Sequence, residues 1–125
     1  MRITLAATVA ASLIAQSNAL YLCLFQASVE YAVGSATYPE PACFARAVDS
    51  SNDCTASAGD GAVVGNQCNV QIEEHTSQGG GFWIENHNIN YEKDGTHWYC
   101  DPGNCPSGIA IGQVCGCDAG NGAPS

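Results

Sequence analysis

The chain has 125 residues, with twelve Asp and Glu against three Lys and Arg and a formal net charge of −9. A nucleic-acid binder neutralises phosphates with a basic surface, and this composition cannot build one. An anionic membrane surface is disfavoured by the same imbalance, which leaves neutral glycans, basic surfaces and other proteins as the expected partners.

The first element is a leader. Met1-Arg2 is a short positive start, Ile3 to Ile14 is an apolar run, and Ser17-Asn18-Ala19 supplies small residues at a cleavage site. The apolar run is too short, and too broken by Thr8 and Ser12, to cross roughly 30 Å of hydrocarbon. Residues 1–19 therefore read as a secretory signal peptide, 20–118 as one disulfide-stabilised domain and 119–125 as a flexible C-terminal tail. The expected location is extracellular. Cleavage after Ala19 removes Arg2 and leaves Arg46 and Lys93 as the cations.

Beyond the leader, Cys23 to Val33 alternates like a half-buried strand. Cys23, Phe25, Ala27, Val29, Tyr31 and Val33 form the apolar set; Leu24, Gln26, Ser28 and Glu30 mostly form the wet set. A helix is the alternative, because Leu22, Phe25 and Val29 also fit helical spacing. Tyr38-Pro39-Glu40-Pro41 reads as a break, and Pro41 is well placed to open a short helix through Val48 with Phe44, Ala47 and Val48 on one face. Cys68 to Glu73 alternates again as a strand, and 77–81 reads as a glycine-rich turn. Phe82 to Tyr91 is strand-like with a phase slip, which a bulge or tight turn near Glu85-Asn86-His87-Asn88 explains. Lys93-Asp94-Gly95 reads as a hairpin turn into Thr96–Cys100. Asp101-Pro102-Gly103-Asn104 is another turn. Ile109, Ile111, Cys115 and Cys117 share one parity, as a last strand requires. The expected fold class is small, disulfide-rich α+β: mainly antiparallel β-sheet with one short helix.

All eight cysteines follow the leader: Cys23, Cys43, Cys54, Cys68, Cys100, Cys105, Cys115 and Cys117. An even count in a short exported chain predicts four disulfides. Cys115 and Cys117 share a strand face and are expected to take separate partners, namely Cys23 and Cys68 in an order left open. Cys100–Cys105 and Cys43–Cys54 are then expected as local clasps.

Several chemistries compete for the remaining residues. His75, His87 and His97 lie near Glu73, Glu74, Glu85 and Glu92, and paired His and Glu can do general acid–base work. A phosphodiesterase also needs cations, and nothing in the sequence brings Arg46 or Lys93 to these groups. Cys100, Cys105, Cys115 and Cys117 with His97 could be read as zinc ligands, but export favours their oxidation. Asp49, Asn52, Asp53 and Asp60 are oxygen donors without a complete calcium-loop pattern. No catalytic residue, metal site or cofactor is assigned. The most unusual local feature is aromatic. Trp83, Trp98 and Tyr99, with Asn86, Asn88 and Asn90 nearby, are candidate ligand-binding residues, since rings stack on sugars and amides bond hydroxyls. In regular strands, one ring of each adjacent pair, Phe82-Trp83 and Trp98-Tyr99, points outward; filling a small core is the plainer use for these rings.

The leader Met1-Arg2-Ile3-Thr4-Leu5-Ala6-Ala7, the size, the eight cysteines and the missing enzyme motif together resemble small secreted cysteine-rich proteins of filamentous fungi, an effector-candidate class. Tyr21-Leu22-Cys23 looks like the aromatic-x-Cys motif of powdery-mildew effectors, and His97-Trp98-Tyr99-Cys100 is similar to a stretch of the Alternaria major-allergen β-barrel family. The expected protein is secreted, non-enzymatic and monomeric, and the class resemblance implies that it binds a host or cell-surface component. A lectin-like module that uses the exposed aromatics is the second expectation, and a small hydrolase or ribonuclease-like protein that uses His and Glu is the third.

Overall fold

The computed structural model describes residues 19–55, 60–69, 80–103 and 109–124. The expected signal peptide up to residue 18, most of the strand expected from Cys68 to Glu73, and Cys105 lie outside them. The strands are β1 (Ala19–Val33), β2 (Ala36–Val48), β3 (Asp60–Gly65), β4 (Gly81–Glu85), β5 (Asn88–Lys93), β6 (Thr96–Cys100), β7 (Val114–Asn121) and β8 (Ala123–Pro124). They form two four-stranded sheets, ordered β3-β2-β1-β7 and β4-β5-β6-β8, and every pairing is antiparallel.

The expectation of a mainly antiparallel, disulfide-rich fold holds, but the short helix does not. Residues 41–48 are the second half of β2, and the helical element among the described residues is a 3-10 turn, Ser51–Asp53. Ser50 caps it, its Oγ accepting from the Asn52 N–H at 3.3 Å. A helix of about two turns is marginal in water. As a strand, the same residues gain ladders with β1 and β3 and bury Cys43, Ala45 and Ala47.

The prolines do not break β2, and the hydrogen-bond phase explains why. The Gln26 N–H donates to Gln113 O at 3.1 Å, and Gln26 O accepts from the Gly112 N–H at 2.7 Å. In β1, even-numbered residues therefore direct their backbone groups away from β2. Their register partners Cys43, Pro41 and Pro39 likewise face away from β1. The missing proline N–H groups remove no β1–β2 bond.

The strand alternation in β1 is real, but its faces are reversed. Leu22, Leu24 and Gln26 face the core, whereas Phe25, Val29, Tyr31 and Val33 point the other way. The polar member of the inner set decides the phase. Gln26, only 2% exposed, donates through Nε2 to Asn66 O at 2.8 Å and to Ala42 O at 3.3 Å. Its Oε1 accepts from the Cys68 N–H at 2.6 Å. A buried amide so satisfied ties the segment after β3 to the middle of β1.

The core lies between the sheets. Leu22, Leu24, Ala45 and Val64 meet Phe82, Ile84, Ile89, Tyr91 and Trp98. Small residues on β2 leave room for rings: Phe82 stacks on Tyr91 at 4.6 Å, and Tyr91 meets Trp98 at 5.4 Å. Two tight turns shape the second sheet. Asn86 and His87 both have positive φ, as do Asp94 and Gly95, the backbone that two-residue hairpins require. The first of these explains the phase slip between Ile84 and Ile89.

The C-terminal segment is not a loose tail. Ala119 to Asn121 complete β7, and β8 pairs with Thr96 and His97 of β6. Gly122 makes this crossing possible, because a Cβ there would run into the Thr96 methyl and the Trp98 indole. Ile109 and Ile111 precede the last strand rather than belonging to it. A turn closed by the Gln113 N–H on Ala110 O at 2.9 Å separates them from β7.

Three bridges join described residues: Cys23–Cys54, Cys43–Cys68 and Cys100–Cys117. Cys115 is also disulfide-bonded. Separate partners for Cys115 and Cys117 were expected correctly, but the individual pairings were not. Cys100 reaches across to β7 and links the two sheets instead of closing a clasp with Cys105. Cys23 points to the outer face of its sheet, where Cys54 after the 3-10 turn covers it. That outward direction denies it the β7 partner expected from sequence, since Cys115 and Cys117 face the core.

Candidate binding surfaces

The two sheets each present an outer face, and the sequence candidates divide between core and surface. On the β4-β5-β6 face, register places Trp83, Asn90 and Tyr99 in one row and Gly81, Glu92 and His97 in the next. The Trp83 and His97 rings stack at 5.3 Å with 15° between planes, and His97 meets Tyr99 at 5.3 Å. They close over β5, so Asn90 is buried beneath them. His97 Nε2 lies 2.9 Å from Asn90 Oδ1, and Asn90 Nδ2 donates to Asn88 O at 3.3 Å. The Trp83 indole N–H donates to Glu85 at 3.2 Å.

This arrangement sorts the candidates. Tyr99 is 57% exposed and Trp83 is half-buried, so each adjacent pair does turn one ring outward. Trp98, expected among the ligand-binding residues, is 8% exposed and belongs to the core, where its ring offers no face to a ligand. Asn86 is exposed in the turn, and Asn88 is half-buried at the start of β5. A sugar that stacks on Trp83 needs an open ring face, and His97 already covers one of the two.

The histidines do not assemble a catalytic group among the described residues. His87 is exposed in the 86–87 turn, and His97 is bonded to an amide. His75, Glu73 and Glu74 lie outside the described residues. Among those described, no group of three or more His, Cys, Asp or Glu could hold a metal ion. Cys100 and Cys117 are joined as a disulfide, which removes them as thiolate ligands. Among the described residues, no helix is long and apolar enough to cross a membrane.

The other outer face was not anticipated. On the β3-β2-β1-β7 sheet, Val63, Phe44, Phe25 and Val114 are consecutive register partners across all four strands. They form one apolar row, of which Val63 and Val114 are exposed. Arg46 lies in the next row, its guanidinium 5.6 Å from the Phe44 ring and 5.9 Å from that of Phe25. The same face continues beyond the sheet. From Ala27 and Ala42 onward, β1 and β2 project as a two-stranded arm about 20 Å long. Val29, Tyr31, Tyr38 and Val33 lie on this face of the arm, with the exposed Glu40 opposite Val29, and Tyr31 packs on Tyr38 at 5.9 Å. Tyr31, Tyr38 and Val33 are exposed. The sequence signal for this face is the alternation of β1 itself, whose apolar set by composition alone reads as the inner one.

No protein-family model, curated protein or solved structure matches the chain.

Proposed function

We propose that this chain is an exported, effector-like binding protein that acts without catalysis on a protein component of a host or cell surface. The observation that carries the reading is the apolar row Val63-Phe44-Phe25-Val114 and its continuation over Tyr31, Tyr38 and Val33 on the arm. Soluble domains rarely expose connected apolar patches of more than a few hundred Å², and such patches mark interaction sites. Export is supported by the leader and by the disulfides, which persist in oxidising compartments. The fungal class enters through the sequence resemblance alone.

The test uses oxidised protein beginning at Leu20, immobilised against extracellular fluid of a candidate host. Wild type and Trp83→Ala are expected to retain the same protein, and the triple variant Phe25→Ser, Phe44→Ser, Val63→Ser to lose it. Equal retention by the triple variant overturns the reading.

A second reading, carbohydrate binding, is favoured by the Trp83-His97-Tyr99 array. Glycan-array binding abolished by Trp83→Ala or Tyr99→Ala, and indifferent to the triple variant, would establish it in place of the first.

A further inference from the structure

The arm has two long edges, and they are not equivalent. Pro39 and Pro41 sit on the β2 edge at the positions whose backbone nitrogens point away from β1. An incoming strand there would find two of the outward donors missing, a common protection for an exposed edge. The β1 edge has no such protection. The phase set by Gln26, which bonds Gln113 and Gly112, sends the N–H and C=O groups of Ser28, Glu30 and Ala32 outward on the same side. The β7 ladder ends at Phe25–Val114, and the turn before β7 bonds no further than Gln26. Ser28, Glu30, Tyr31, Ala32 and Val33 are all exposed. Among the described residues, nothing pairs with this edge.

We infer that the β1 edge of the arm, at Ser28, Glu30 and Ala32, is a docking site for an extended, basic segment of a partner protein, which adds as a further strand. The inference rests on the reading of the chain as a binding protein. Main-chain bonds give such a complex its affinity, and alternate side chains give it selectivity. The arm supplies both. Val29, Tyr31 and Val33 offer apolar neighbours on one face, and Glu30 is the edge's charged side chain on the other.

Charge decides the occupant. The arm carries Glu30 and Glu40 and no cation, on a chain of net charge −9. Opposite charges on neighbouring strands stabilise pairing, and like charges directly opposite destabilise it. A second copy is disfavoured on that ground. Two-fold pairing of β1 with itself must match even-numbered residues with even-numbered ones. Any register centred on Val29, Glu30 or Tyr31 then sets the two Glu30 side chains opposite or diagonal to each other.

The test measures binding of a short blocked peptide of alternating valine and lysine to oxidised protein, with a valine–glutamate peptide as the contrast. The lysine peptide is expected to bind and the glutamate peptide not to. Ser28→Pro and Ala32→Pro each delete one outward donor, keep every charge and mirror what β2 already accepts at Pro39 and Pro41. Each is expected to weaken binding about three- to tenfold, the worth of one main-chain bond. Glu30→Lys is expected to exchange the preference between the two peptides. Proline variants that bind like wild type, with disulfides and circular dichroism unchanged, overturn the inference even if the lysine peptide binds, because charge alone then explains it. The proline variants should also weaken capture of the host protein. Capture lost in the triple face variant but intact in both proline variants removes the edge inference and leaves the function reading. Proline-sensitive peptide binding without any captured protein does the reverse.

Discussion

At its root, the β1–β2 hairpin lies between β3 and β7, two of its cysteines are cross-linked, and Leu22, Leu24, Cys43 and Ala45 are buried. At its tip, the same two strands continue in unbroken register with exposed residues on both faces. The pairing is identical and the environment is not. A two-stranded hairpin by itself is marginal in water. The root is therefore held by its neighbours, and the tip by the root and by the Tyr31–Tyr38 contact. A strand pattern alone does not distinguish the two, and the half of the hairpin that contributes least to folding is the half free to bind.

The largest expected effect lies at the root. Replacing Cys43 and Cys68 together by Ala should cost about 2–5 kcal/mol in chemical denaturation, the usual range for a native bridge in a small domain. A loss under half a kcal/mol would show that root and tip differ less than burial implies. Peptide mapping of the unreduced protein sharpens the same comparison: Cys23–Cys54, Cys43–Cys68 and Cys100–Cys117 are expected. A Cys100–Cys105 fragment would break the link between the sheets.

Next comes Gln26→Ala, where β1 leaves the core. It strands the Cys68 N–H and the Asn66 carbonyl and removes a second donor from Ala42 O, and should cost about 1–3 kcal/mol. Gln26→Glu should also destabilise, because Nε2 then no longer donates to either carbonyl.

At the tip, Tyr31→Ala should cost only about 0.2–1 kcal/mol, as one cross-strand pair is lost. The smallest change is in hydrogen exchange. Outward amides of Ser28, Glu30 and Ala32 should exchange rapidly, whereas those of Leu22 and Leu24, bonded to β7, should be protected near the global limit. Equal protection along β1 would mean that the open edge is covered.

Much of the fold was legible because it is local. The Asp94-Gly95 turn announces itself by residue type, and the slip between Ile84 and Ile89 locates the 86–87 turn, since positive φ and strand parity are properties of a few adjacent residues. That one ring of each pair, Phe82-Trp83 and Trp98-Tyr99, turns outward follows from the period of a strand; which one does not. Which face of β1 is inside did not follow, because Phe25, Tyr31 and Val33 look more like core than Leu24 and Gln26 do. That choice depends on Gln26 finding Asn66, Cys68 and Ala42, partners distant in sequence.

The sequence by itself determined an acidic chain with an apolar leader pattern, an even set of cysteines, the strands β1, β4, β5 and β6 and the tight turns at 86–87 and 94–95, because each of these is written in composition or short-range spacing. Only the tertiary structure decided that residues 41–48 are strand rather than helix, that Cys100 reaches Cys117, that Trp98 is core, and that one edge of the arm is sealed by proline while the other is open. Each of those outcomes depends on which segment lies alongside, and a neighbour supplied by a distant part of the chain outweighs the weak local preference of a few residues.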